Sequence, residues 1–209
     1  MYLKEYINKL KNGDFIDEKK WLDQSAILET IIEEIPDSGT EEWKNFKTNS
    51  IKETSWKVLL ENSIKKNYIK KEKHKLPNSI FFIDGNYSQE ASSLKKESGI
   101  NISSLSDYIN KNPEFKGILF NNPSDYAENR LSGIKDKKPT YFISLNSLLS
   151  FGTVIEVEKA KNINETINII HSFSNIEPEI VINPYIIIVC KEGSKVSFQE
   201  MSYNVESGN

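Results

Sequence analysis

Residues 185–201 read YIIIVCKEGSKVSFQEM, and this stretch decides the fold. Tyr185–Val189 is a short run of β-branched and aromatic residues, which predicts a strand. Lys191-Glu192-Gly193 reads as a turn, and Lys195–Met201 as the next strand. Three further runs of the same kind precede it: Tyr141–Leu145, Thr153–Val157 and Thr166–Ile170. The turn residues Asn162-Ile163-Asn164 and Asn183-Pro184 separate them. No helical pattern lies between these strands, so a doubly wound α/β sheet is disfavoured. Evenly spaced short strands suit a sandwich, a barrel or a β-solenoid. A solenoid would need a cap on its last coil, because open backbone donors and acceptors seek partners. After Met201 only SYNVESGN remains, too short and polar for that task. Either the end is open, another chain covers it, or the natural polypeptide continues.

Toward the N-terminus the pattern turns helical. Leu3, Tyr6, Ile7 and Leu10 fall at helical spacing, and Gly13 supplies a stop. A second helix is expected from Asp17, which caps it, with Glu18 favourable in its first turn. Its stripe runs Trp21, Leu28, Ile31, Ile32 and Ile35, and Pro36 ends it. Asp37-Ser38-Gly39 is a turn, Thr40 caps a short segment with Trp43 and Phe46, and Trp56, Leu59 and Leu60 mark another amphipathic stretch. Between the two regions, Ser79–Ile83 predicts a strand ending at the turn Asp84-Gly85. Ser104–Ile109 predicts a small helix with Leu105 and Tyr108 inward. Phe120–Pro139 is polar and reads as a loop or linker. Three regions result: a helical 1–76, a mixed connecting 77–139 and a β-rich 140–209.

Composition excludes several classes. The 209 residues carry a formal net charge of −3, so no overall basic field exists to hold a nucleic acid. No apolar run is long enough to span a membrane, and the first residues, MYLKEYINKLKNGD, lack the apolar stretch of a secretion signal. Cys190 is the only cysteine, so no internal disulfide forms and a reducing, cytoplasmic setting is expected. Arg130 is the only arginine, which leaves little for bidentate phosphate or carboxylate clamps.

Residues able to carry chemistry are few. Cys190 closes an apolar run, where a buried, inert thiol is the ordinary outcome, and one thiol does not hold an iron–sulfur cluster. His171 ends the strand Thr166–Ile170 and reads as a rim residue, while His74 sits among lysines. Neither has a second metal ligand close by in sequence. The basic run Lys65–Lys75, six lysines against Glu72, reads as a solvated surface because no arginine joins it and Tyr68 is its only aromatic. Glu33-Glu34 and Glu41-Glu42 are adjacent pairs that point apart on a helix, so neither forms a catalytic dyad. No Walker loop, GxGxxG or GxSxG occurs. The residues assign no catalytic, cofactor-binding or metal site.

Five segments nevertheless share a likeness. Ile35-Pro36-Asp37-Ser38-Gly39-Thr40-Glu41-Glu42-Trp43-Lys44 resembles an LPTxxxEEWKYT segment, and Phe82-Ile83-Asp84-Gly85-Asn86-Tyr87-Ser88-Gln89-Glu90-Ala91-Ser92 resembles VNGxFSxxLS. Leu145-Asn146-Ser147-Leu148-Leu149-Ser150-Phe151-Gly152 is similar to LNTAFFxDG. Thr153–Val157 and Ile187–Ser194 are similar to the strands xxIxVPxG and LIVVEEGA. In this order and at about this spacing they resemble the SufB/SufD family of iron–sulfur cluster assembly scaffolds, on its SufD side, over most of residues 30–201. The sequence departs from the pattern at Asn45-Phe46, Phe151 and Ala91, where the family has a tyrosine, an acidic residue and a leucine.

The resemblance implies an α+β fold: an N-terminal helical region followed by the start of a right-handed parallel β-helix. It implies a non-catalytic scaffold subunit that works with SufB and the ATPase SufC. The iron–sulfur cluster would be assembled by the full complex and not bound here. The family's functional residues lie in its C-terminal half and match no position of this chain, which is read as an N-terminal portion. Self-association through an open β edge is a further expectation. Two other classes stay open: an independent β-rich ligand-binding module, and an enzyme built from carboxylates distant in sequence.

Overall fold

The structure is a computed structural model that describes residues 2–12, 45, 54–58, 76–95, 98–117, 152–173 and 179–204. Outside the described residues lie the expected helix from Asp17, the Thr40 segment, Leu59 and Leu60, the Lys65–Lys75 run, the Phe120–Pro139 linker and the strand Tyr141–Leu145. In chain order the elements are α1 (Leu3–Lys11), β1 (Lys57–Val58), β2 (Ser79–Ile83), β3 (Asn86–Ser93), β4 (Ile100–Ser104), α2 (Leu105–Lys111) and a 3₁₀ turn (Pro113–Gly117). Then follow β5 (Thr153–Val157), β6 (Asn162–Phe173), β7 (Ile180–Val181), β8 (Ile186–Cys190) and β9 (Lys195–Asn204). The chain divides into two compact units, Met1–Lys57 with Ile109–Leu149, and Val58–Tyr108 with Ser150–Asn209.

In the first unit, α1 forms where the Leu3-Tyr6-Ile7-Leu10 spacing predicts it, and it buries Tyr6. The Tyr2 backbone N–H donates to the Glu5 carboxylate, and Tyr2 bridges Lys57 in antiparallel fashion.

The second unit is built on β2. Its sequence, SIFFI, is buried on both faces, which explains the absence of alternation. Asp84 and Gly85 both have positive φ, 48° and 83°, so they close a two-residue hairpin into β3. The hairpin carries an irregularity between Ser79 and Phe81. There the Ser92 hydroxyl accepts from the Phe81 N–H and donates to the Ser88 carbonyl. On its other side β2 pairs in parallel with β6, and β6 pairs in parallel with β9, giving the order β3-β2-β6-β9. A second sheet has the order β4-β5-β8, with β4–β5 antiparallel and β5–β8 parallel.

The two sheets share one apolar core. Ile80 and Phe82 of β2 and Ile167 and Ile169 of β6 cluster with Ile155 of β5. Ile100, Ile102, Ile186 and Phe198 pack against that cluster from the flanking strands. The opposite face of β2 joins Phe81 and Ile83 to Ala91 and Ile170. Each such fully buried side chain contributes about 1.5–3 kcal/mol from removal of its apolar surface from water.

This architecture corrects the expected fold class of an N-terminal helical region followed by the start of a right-handed parallel β-helix. Over the described residues the chain is mostly strand, with two α-helices, and no N-terminal helical region is found. The stretch after Trp56, expected to be amphipathic helix, is the strand Lys57–Val58 with Val58 buried. A parallel β-helix is likewise not shown, because both large sheets are mixed and each carries an antiparallel strand at one edge. Those strands, β3 and β4, read NYSQEASS and INISS; pairing with an apolar neighbour, rather than their own propensity, holds them extended.

Candidate functional site

The parallel pairs place β8 beside β5 in continuous register, and β9 beside β6 in a register that shifts between Asn162 and Thr166. Thr153 pairs with Ile186, Ile155 with Ile188 and Val157 with Cys190; Ile167 pairs with Phe198 and Ile169 with Glu200. Neighbours in a parallel pair share a face, so Ile186, Ile188 and Cys190 point the same way as the core residue Ile155. Their burial differs sharply. Ile155 is 0% exposed, whereas Ile188 is 41% exposed and Cys190 is exposed. Among the described residues no strand pairs with the outer side of β8 or β9. The described part of the molecule therefore ends on a two-strand edge, apolar along β8 (IIIVC) and mixed along β9 (KVSFQEMSYN).

Close to this edge, His171 of β6 is buried, not at the rim as its place after Ile170 suggested. Its Nε2–H donates to Glu200 Oε1 at 2.7 Å, and Glu200 is exposed. The imidazole stacks on Phe82 at 5.3 Å and on Phe173 at 6.5 Å between ring centroids. Its Nδ1 is buried with no hydrogen-bond partner among the described residues. A carboxylate only accepts, so the pair assigns a proton to Nε2.

The remaining charged groups pair locally. Lys191 meets Glu156 at 2.9 Å, and that hydrogen bond raises the Lys191 ammonium above its ordinary pKa. Lys95 binds Glu165, joined by the Asn78 amide, and these bonds, the Lys95 one foremost, hold the Glu165 carboxyl below its ordinary range. Lys159 meets Glu192 at 2.6 Å. Exposed pairs of this kind contribute little to stability.

Cys190 was expected as a buried, inert thiol and is exposed on β8 instead. It lies in a different sheet from His171, so the structure does not bring the two into one strand layer. His74, Glu33-Glu34 and Glu41-Glu42 lie outside the described residues. Among the described residues, no three His, Cys, Asp or Glu side chains are grouped as a metal ion requires. No helix among them is long and apolar enough to cross a membrane. No protein-family model matches the chain, and no curated protein matches it either.

Proposed function

We propose that this chain is a non-catalytic scaffold subunit of iron–sulfur cluster assembly, of the SufD type, acting through protein–protein contacts. The observation that carries the reading is the β8–β9 edge, where Ile188 stands exposed in the register position that Ile155 occupies fully buried. An edge of this kind recruits strands from another protein by backbone pairing, with alternate side chains supplying specificity. The choice of system rests on the five in-order segments that resemble the SufB/SufD family. The partners are then SufB-like and SufC-like subunits in the cytoplasm, and the cluster is carried by the assembled complex.

Co-expression of the tagged chain with SufB-type and SufC-type subunits tests this reading. The expected result is a stoichiometric complex that survives purification and weakens on Ile188→Lys. Recovery of the chain alone, with the other two subunits passing through together, overturns it.

A further inference from the structure

Among the described residues, Met201 is the apolar side chain through which one buried row of the four-stranded sheet meets water. We infer that its thioether is a redox modification site: a hydroperoxide converts it to the sulfoxide, and the change loosens the edge strand β9. Neither step depends on the SufD-type reading.

The row crosses three strands. Phe81 of β2 pairs with Ile170 of β6, and Ile170 pairs with Met201 of β9, so the three share one face. Phe81 and Ile170 are 1% and 0% exposed, and they cluster with Ile83 and Ala91. Met201 packs against that cluster and is only partly buried. Among the described residues no strand lies beyond it. Met201 therefore stands between the cluster and solvent, where a small oxidant meets it without entering the core.

Its contact matters to β9 because little else on this face replaces it. The preceding row, Ser79–Asn168–Gln199, is polar and adds no apolar hold. The opposite face has its own anchors. Val196 and Phe198 pack against the core cluster between the sheets, and Glu200 accepts from His171 Nε2 at 2.7 Å.

The step is a two-electron oxygen transfer. A lone pair of the Met201 sulfur attacks the terminal oxygen of the hydroperoxide, and the O–O bond breaks. The proton of that oxygen passes to the displaced one, which leaves as water or an alcohol. Sulfur is oxidised and the peroxide is reduced; a thioether has no proton to lose, so no thiolate is needed. The product carries an S=O group that seeks a hydrogen-bond donor. Phe81, Ile83, Ala91 and Ile170 offer no side-chain donor, so the oxidised side chain turns to water and leaves the row. One of the two faces of β9 is then released. Methionine sulfoxide reductases restore the thioether and make the change reversible.

Hydrogen peroxide treatment of the whole chain tests this, in a Cys190→Ser background that removes the exposed thiol. Peptide mass spectrometry should find one added oxygen on Met201. Amide exchange should speed about tenfold or more in residues 199–204, beyond the contacts of Val196 and Phe198, and stay unchanged in the β2–β3 hairpin. Reductases with dithiothreitol should reverse both effects. Met201→Leu keeps the apolar contact and should abolish the effect of peroxide on exchange. Met1, the only other methionine, is present in both chains and cancels in that comparison. Met201→Gln, polar and of similar length, should speed exchange without peroxide. If circular dichroism shows that Met201→Leu does not fold, reversal by the reductases in the parent chain decides the matter. Met201 left unoxidised by peroxide that oxidises free methionine overturns the inference. So does a sulfoxide at Met201 with exchange in β9 unchanged, or an equal rise in Met201→Leu.

Discussion

The Nε2–H of His171 donates to Oε1 of Glu200 and so ties β6 to the edge strand β9. It is a cross-strand link between a buried imidazole and an exposed carboxylate. Glu200→Ala leaves the buried Nε2–H without an acceptor and should destabilise the chain by about 1–2 kcal/mol. His171→Phe in the same chain removes the orphaned donor and the unpartnered Nδ1 while retaining ring packing on Phe82 and Phe173. The double variant should recover most of the loss. Urea unfolding of the two single variants and the double measures the coupling; a double variant as unstable as Glu200→Ala refutes this account of the pair.

Ile155 and Ile188 are neighbours in register with opposite environments, so the same substitution should have unequal effects. Ile155→Ala opens a cavity in the shared core and should cost about 2–4 kcal/mol. Ile188→Ala should cost less than about 1 kcal/mol, because much of that side chain already meets water. Equal losses would mean that the β8 edge is covered in the folded monomer.

Legibility followed the apolar pattern. Ser79–Ile83, Thr153–Val157 and the small helix at Leu105 were readable because their own composition suits the state they adopt. Thr166–Ile170 was readable too, but β6 extends from Asn162 to Phe173, through residues expected to form a turn. Within that polar segment only Asn162 pairs with β9 before the register shifts at Thr166, so the extension has no signal in local propensity. β3 and β4 were hidden for the same reason. The burial of His171 had a signal: it continues the two-residue period of Ile167 and Ile169, both in the core. The exposure of Ile188 had none, because it depends on what lies beyond β8 and not on the strand itself.

Gly152 and Leu105 meet where β5 begins beside α2. The Leu105 N–H donates to the Gly152 carbonyl at 3.1 Å, and Gly152 has a φ of 67°. A Cβ at Gly152 would stand 2.6 Å from the buried Leu105 side chain. Gly152→Ala therefore meets both backbone strain and a steric clash, and should cost about 1–3 kcal/mol. A thermal transition unchanged from that of the native chain would contradict the left-handed conformation assigned here.

Ser104 caps α2. Its hydroxyl accepts from the Asp107 N–H at 3.0 Å and donates to the Asp107 carboxylate at 2.7 Å. Ser104→Ala should cost about 1 kcal/mol, and Ser104→Asn should restore most of it, because the amide oxygen serves as the acceptor. Loss without rescue would place the effect of Ser104 elsewhere than at the cap.

Tyr6 gives the first unit an alkaline limit. Burial pushes its phenol from 10.0 up to about 12, since the phenolate loses its hydration in the folded chain. A folded-state pKa above the unfolded value means that the folded state holds the proton more tightly. The stabilisation is therefore complete below about pH 10 and fades as pH rises toward about 12. The full amount is on the order of 2 kcal/mol. Tyr6→Phe has no phenol to ionise, so the difference in unfolding free energy between native chain and variant should shift in favour of the variant across that window. Lysine titration affects both chains alike and cancels in the difference. A difference independent of pH between about 9 and 12 would show that the Tyr6 hydroxyl is solvated in the folded state.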